Sequence, residues 1–280
     1  MNEQVRRRSA RSMLLTVLGE YVLPAGDGVW QETLIGALGS LDYKPQAARQ
    51  ALARSVTGGW LRTERHGRRA RVHLTGEARE MLSSGAERIY GFGGPWAWDG
   101  RWLLVVVRVP EERRDVRHLI RSRLAWAGFG SLGNGLWITP HVEREAEVAR
   151  VPGAELLSFR AEFGSIGEPA KVVADAWDLR EVSDRYREFI RRFERLRPAS
   201  PQAAFRAQTE LVHTWRKLPF LDPDLPPETL PARWPRTRAQ QVFAERYAQW
   251  DAPAKAWFES LERPLLRSRA WNTASSAPAA

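Results

Sequence analysis

The chain has 280 residues, 43% of them hydrophobic and 13 of them Trp, enough apolar material for two or three domains rather than one. A formal charge of +10 favours polyanionic partners, although all but Lys44, Lys171, Lys217 and Lys255 of the 43 basic residues are Arg, a bias that genome base composition also produces. With no Cys, disulfides, thiolate metal sites and thiol nucleophiles are excluded, and the five His (His66, His73, His118, His141, His213) fall at no metal-ligand spacing, so neither metal nor cofactor is expected.

Residues 1 to 10 read as a solvated basic arm. Arg6, Arg7, Arg8 and Arg11 precede only a short apolar run, Met13 to Leu18, which Gly19 and Glu20 end before a signal-peptide core is complete. No stretch approaches the roughly 20 apolar residues of a spanning helix. A soluble cytoplasmic protein with no membrane partner is the expectation. Met13, Leu14, Val17 and Leu18 make the stripe of a first helix, which the Pro24 to Gly28 segment breaks; Trp30, Leu34, Ile35 and Leu38 make a second. Gly39 to Asp42 supplies a turn. A third helix then runs from about Pro45, a residue suited to a helix's first turn, to Thr57, where Gly58 and Gly59 stop it.

On a helical wheel Ala48, Ala51, Leu52 and Ser55 share one side of that third helix, and Gln46, Arg49, Gln50, Ala53 and Arg54 share the other. Arg and Gln can pair bidentately with guanine and adenine edges. Strands at about Trp60 to Thr63 and Ala70 to Leu74 then flank a basic tip, Arg65-His66-Gly67-Arg68-Arg69, with Gly67 permitting the turn. The charge is local: Lys44, Arg49, Arg54, Arg62, Arg65, Arg68, Arg69 and Arg71 meet only one carboxylate, Glu64, whereas the charged residues between Ser12 and Tyr43 are all acidic. Helix, turn, helix and cationic hairpin in this order predict a winged helix-turn-helix over residues 1–90.

Thr75 suits the N-cap of a helix from Gly76 to about Ser84, and Gly91 to Pro95 has the composition of a linker. Trp102 to Val107 is an apolar run of buried-strand length. Val116, Leu119, Ile120, Leu124 and Ala127 follow at helical spacing; strands near Gly130 to Leu132 and Leu136 to Thr139, a helix over Val142 to Ala149 and a strand at Glu155 to Phe159 complete the segment. Strand-helix-strand-strand-helix-strand is the ferredoxin-like plan, placed at 96–165. The remainder, 170–270, reads as helices near Ala170 to Trp177, Val182 to Leu196, Pro201 to Leu218 and Arg236 to Glu262. A proline-rich connection separates the last two, and the tail from Asn272 reads as unstructured. The fold class is therefore α+β and multidomain.

Several blocks in order carry a resemblance: Arg11-Ser12-Met13-Leu14-Leu15 with Gly19-Glu20-Tyr21-Val22-Leu23-Pro24, Ala48-Arg49-Gln50-Ala51-Leu52-Ala53-Arg54, Gly59-Trp60-Leu61, Asp99-Gly100-Arg101-Trp102, Gly128-Phe129-Gly130, and the long run from Val212-His213-Thr214-Trp215 through Phe220-Leu221-Asp222-Pro223-Asp224-Leu225-Pro226. Together these resemble, over nearly the whole chain, the PaaX family of bacterial repressors of phenylacetic acid degradation. The resemblance implies a winged-helix domain, a central domain like that of Cas2 proteins, a helical C-terminal domain, and repression relieved by an aryl-CoA thioester such as phenylacetyl-CoA. Departures are Ser55 in place of an apolar residue and Lys44 at the helix entrance, where Asp42 could cap instead. Val107-Arg108-Val109 stands where Cas2 nucleases carry an aspartate, which argues against metal-dependent cleavage.

A CoA thioester needs cations for its phosphates and an apolar slot for its acyl group. His213, Arg216 and Lys217 share a helix face, and Trp215, Phe220 and Trp234 could line such a slot; the same residues equally suit interdomain packing and a solvated helix end. The expectation is a homodimeric repressor on an operator in double-stranded DNA, with Gln46, Arg49, Gln50 and Arg54 in the major groove and Arg65, Arg68 and Arg69 on the backbone or minor groove. Two rivals are a CoA-thioester hydrolase or transferase with His213 as base, which lacks a nucleophile and oxyanion-hole motif, and an RNA-binding Cas2-like module.

Overall fold

The computed structural model of the chain describes residues 9–26, 28–94, 98–149 and 153–274; Arg6, Arg7 and Arg8 of the basic arm, Pro95 of the linker and the tail beyond residue 274 lie outside the described residues. Two units form, one from residues 1–91, 192–214 and 241–280 and the other from residues 92–191 and 215–240.

In the first unit, helix α1 (Ala10–Val17) begins where the Ser9 hydroxyl accepts the Ser12 amide at 3.1 Å, an N-cap that satisfies one of the helix's unpaired donors. The chain then widens into one π-turn, Leu18–Val22, in which the Leu23 amide reaches back to the Leu18 carbonyl at 2.8 Å. A two-residue strand β1 (Val29–Trp30) precedes α2 (Gln31–Ser40) and α3 (Pro45–Thr57). A hairpin follows, β2 (Leu61–His66) and β3 (Arg69–Leu74), then α4 (Gly76–Gly91), whose Ala78 amide donates to the Thr75 hydroxyl at 3.2 Å. The strands pair antiparallel in the order β1-β3-β2. β1 is too short to show an alternating pattern, and α4 runs past the Ser84 end that sequence suggests.

The core of this unit joins Leu14 and Leu18 to Leu34, Leu38, Ala48, Ala51 and Leu52, closed beneath by Leu61, Val72 and Leu74 of the hairpin. Phe205, Ala254 and Phe258 from the C-terminal helices belong to the same cluster. Phe205 lies between Tyr21 and Trp257, with ring centroids 5.0 and 4.6 Å away.

The second unit holds β4 (Trp102–Arg108), α5 (Arg114–Trp126), β5 (Gly130–Gly133), β6 (Leu136–Thr139), the short α6 (Glu145–Val148) and β7 (Glu155–Ala161). Every pairing is antiparallel and the order is β5-β6-β4-β7, the ferredoxin-like arrangement. Leu103 and Val105 pack with Ile120 and Leu124 of α5; Trp102 and Ile138, on the other face, pack with Val173 and Leu225. Leu119 departs from the expected stripe: it is 55% exposed, off the side that α5 buries.

The helices α7 (Pro169–Ala176), α8 (Leu179–Phe193), α9 (Pro201–Trp215), α10 (Leu218–Leu221) and α11 (Arg236–Ala274) follow. The segment 170–270, which sequence suggests is a helical domain, contributes Phe205, Ala254 and Phe258 to the first unit's core and Val173 and Leu225 to the second's. α11 continues to Ala274, past the Glu262 end and the Asn272 tail that sequence suggests. The proline-rich connection is pinned by charge: the Tyr186 hydroxyl donates to Asp222 at 2.6 Å, and Arg236 donates to Asp222 at 2.8 Å and to Asp224 at 2.6 Å. Among the described residues no helix is long and apolar enough to cross a membrane, and no cluster of His, Asp and Glu is placed to hold a metal ion.

Candidate nucleic-acid interface

α3 owes its boundaries to Pro45 in its first turn and to Gly58 and Gly59 after its last; Gly59 takes a left-handed φ of 75° that a side chain would resist. Asp42 does not cap it. With φ at 66°, its carboxylate turns away to Arg206, whose guanidinium donates at 2.9 Å and holds that carboxyl below its ordinary range. Lys44 stands at the cap position with no side-chain bond, leaving Pro45 to start the helix. Ser55 is buried and satisfied, its hydroxyl donating to the Ala51 carbonyl at 2.9 Å, so it seats the helix without an unpaired polar atom.

The two faces of α3 separate as the wheel requires. Ala48, Ala51, Leu52 and Ser55 are buried; Gln46, Arg49, Gln50, Ala53 and Arg54 are exposed. Among the described residues the guanidinium groups of Arg49, Arg54, Arg65 and Arg68 are held in no ion pair or hydrogen bond. An arginine row on a helix whose other side is sealed faces solvent and favours an anionic partner.

The hairpin turn is tighter than sequence suggests. His66 pairs with Arg69, leaving Gly67 and Arg68 as a two-residue loop, and Gly67 at its first central position has a φ of 60°, as a type II′ turn requires. Register assigns the cations different roles. Arg65 pairs with Ala70 and so lies on the face carrying Thr63 and Val72, whereas Arg69 lies on the other face with Glu64, His66 and His73. Arg71 is structural: its guanidinium donates to the Gly28 carbonyl at 2.7 and 3.0 Å and sits 5.8 Å over the Trp30 ring, tying β3 to the chain before β1. The Glu64 carboxylate lies 2.8 Å from His66 Nε2 and 3.2 Å from His73 Nε2. Burial, with help from Arg62, pushes His73 below the ordinary histidine pKa despite Glu64.

The residues expected to hold an effector are placed differently from one another. His213 is 0% exposed, with Nδ1 2.9 Å from the Thr16 hydroxyl. Trp215 is 2% exposed, packed on Tyr186 and Phe189 with centroids 6.4 and 5.3 Å away. Trp234 is half-buried, edge-on to Tyr186 at 6.4 Å, and its indole N–H finds no hydrogen-bond partner among the described residues. Arg216 is half-buried and desolvation lowers its pKa, while Lys217 is exposed. Phe220 packs against Trp126 at 5.4 Å. The structure thus gathers Trp215 and Trp234 about Tyr186, with His213 and Trp215 both buried. Sequence reasoning missed a second cationic group, Arg114, Arg117, His118 and Arg121 on α5; their spacing of three, four and seven residues was the available signal.

Fold and site together define an α+β protein of two compact units, one of which presents an exposed arginine-glutamine helix beside a cationic hairpin. The chain belongs to the PaaX family. The PaaX-like protein family matches residues 9–78, the PaaX protein central Cas2-like domain matches 95–173, and the PaaX-like protein C-terminal domain matches 177–260. The chain is 30% identical over 273 residues to the transcriptional repressor PaaX of Escherichia coli (strain K12), covering 90% of this chain and 83% of that one. The solved structure of the uncharacterized protein Rv0674 from Mycobacterium tuberculosis shares the fold with a TM-score of 0.62 at 22% identity, over 90% of this chain and 99% of that one.

Proposed function

We propose that the chain is a DNA-binding transcriptional repressor, not an enzyme, whose N-terminal segment works as a winged helix-turn-helix. The observation that carries this reading is the row Gln46, Arg49, Gln50 and Arg54, exposed on a helix whose opposite face is sealed. The strand order β1-β3-β2 and the hairpin arginines Arg65, Arg68 and Arg69 support it, as does kinship with a protein named a transcriptional repressor. The helix row enters the major groove and reads bases; the hairpin holds backbone or minor groove. A cytoplasmic homodimer places two such heads on a two-fold related operator of an aromatic-acid catabolic operon. An aryl-CoA thioester, phenylacetyl-CoA being the first to test, binds the arrangement that cannot hold DNA and lowers operator affinity by its preference for that state.

Gel-shift titration at several salt concentrations tests the assignment. Arg49→Ala costs about 1–3 kcal/mol of discrimination against altered operators. Arg68→Ala weakens all sequences alike and lowers the salt slope by about 1. Unchanged binding by both variants refutes the reading, and thiol release from the thioester on incubation refutes its non-enzymatic part.

A further inference from the structure

We infer that the unit containing the ferredoxin-like sheet carries a binding site for a small phosphate-bearing ligand with an apolar group, built on α5 and the sheet beside it. The inference rests on the effector class proposed above and gives that effector a location.

α5 buries Val116, Ile120 and Leu124 on the sheet. Arg114, Arg117, His118 and Arg121 recur at three, four and seven residues along the flank of that stripe, so they stand in one row. Together with Glu111 they line a cavity of about 520 Å³. Arg117 and Arg121 also line a second cleft, of about 400 Å³, whose walls include Val107, Val109, Ile120 and Trp137. An open cationic groove therefore lies beside a cleft of mixed lining, apolar at Val107, Val109, Ile120 and Trp137 and polar at Ser131 and Asn134, with two arginines at their junction. Both volumes fall within the range of about 300–1,000 Å³ in which small ligands bind.

The cations are poised for a partner from outside the chain. Arg113 is engaged by Asp115 at 3.3 Å and Arg123 by the Glu147 carbonyl at 2.8 Å, and Arg117 donates to the Glu111 carbonyl. Among the described residues Arg114, His118 and Arg121 are held in no ion pair or hydrogen bond. One carboxylate, Glu111, lines the groove against three guanidiniums, and the start of α5 adds a favourable potential for an anion. Guanidinium forks match phosphate oxygens bidentately. A nucleic-acid backbone would use the charge but not the apolar wall of the cleft; a phosphorylated molecule bearing a small apolar group uses both.

The test uses the full chain and the double variant Arg114→Gln/Arg121→Gln, both positions being exposed, with circular dichroism and thermal unfolding to check the fold. Calorimetric titration compares phenylacetyl-CoA with inorganic tripolyphosphate. The wild type is expected to bind both, and the double variant to bind both roughly ten- to a hundredfold more weakly. Val109→Glu should weaken the thioester and spare tripolyphosphate. Undiminished thioester binding by the double variant overturns the site and leaves the proposed effector standing. Arginine-dependent tripolyphosphate binding with no thioester binding upholds the anion groove and refutes the effector. Loss of operator binding in the double variant without ligand makes the row a DNA contact and overturns the ligand site. Wild-type protein that binds neither probe overturns both readings.

Discussion

Asp222 is the residue on which the proline-rich connection turns, and Asp222→Ala measures how much. The substitution removes, at one stroke, the acceptor of the Tyr186 hydroxyl at 2.6 Å, of two Arg236 bonds at 2.8 Å and of the Asp224 amide at 2.8 Å. Asp222 is 4% exposed and Arg236 9%, so water does not replace what is lost. Breaking a buried ion pair from one side costs about 3–5 kcal/mol, and a stranded hydroxyl about 1–3. These do not add, because Asp224 remains 2.6 Å from Arg236 and still offsets part of its charge. The expected loss is therefore about 3–4 kcal/mol, near the lower end of the pair's own range. Urea unfolding of Asp222→Ala, Arg236→Ala and the double variant yields the coupling energy. Two compact units need not unfold together, so hydrogen exchange of the amides from 222 to 230 supplies the local reading. A loss under about 1 kcal/mol, or strict additivity in the cycle, refutes the idea that this pair carries the connection.

Phe205→Ala should cost about 3–5 kcal/mol, the usual penalty for emptying a fully buried phenylalanine site, and thermal unfolding reads it directly. Glu20 sits in the π-turn with the Tyr90 and Tyr247 hydroxyls donating to it, yet burial outweighs them and raises its pKa above the ordinary 4.5. The native state thus holds that proton more tightly than the unfolded chain does. Its contribution to stability is complete below pH 4.5 and is lost as pH rises through the elevated native value; Glu20→Gln should flatten the stability curve over that interval.

The third helix was legible because two independent signals agreed on it. Pro45 and the Gly58-Gly59 pair bracket it, and its small apolar residues fall on one side of the wheel while every Arg and Gln falls on the other. The hairpin was legible only in part. Leu61, Val72 and Leu74 mark the stretch that covers the core, but from Arg62 to His66 the strand runs beyond it, so alternation fades although the ladder continues to the Gly67-Arg68 turn. β1 had no pattern to show, since its two residues are defined by backbone pairing with Val72 and Arg71. The C-terminal helices announced that each had a face to bury, but amphipathicity does not say against what. Phe205 and Phe258 complete the core begun by Leu14 and Leu34, a pairing that the pattern of their own helices does not show.

α9 shows where the wheel misleads and why α3 escaped. His213 and Thr209 fall at the edge of the apolar arc of α9, Thr209 one turn from Phe205 but both away from Leu211 and Trp215, and their polarity alone would place them in water. They are instead as buried as Phe205, because polar side chains can leave solvent when a partner meets them, as the Thr16 and Tyr21 hydroxyls do at 2.9 and 3.2 Å. A guanidinium leaves water at such a cost that both buried arginines among the described residues are held by several acceptors, Arg236 by two aspartates and Arg246 by the Gln249 amide oxygen at 2.8 Å and the Glu194 carbonyl at 2.7 Å. A polar stripe therefore marks a solvent face with confidence set by its charge. The arginines of α3 and of α5 satisfy that criterion, and a stripe of His, Thr and Gln does not.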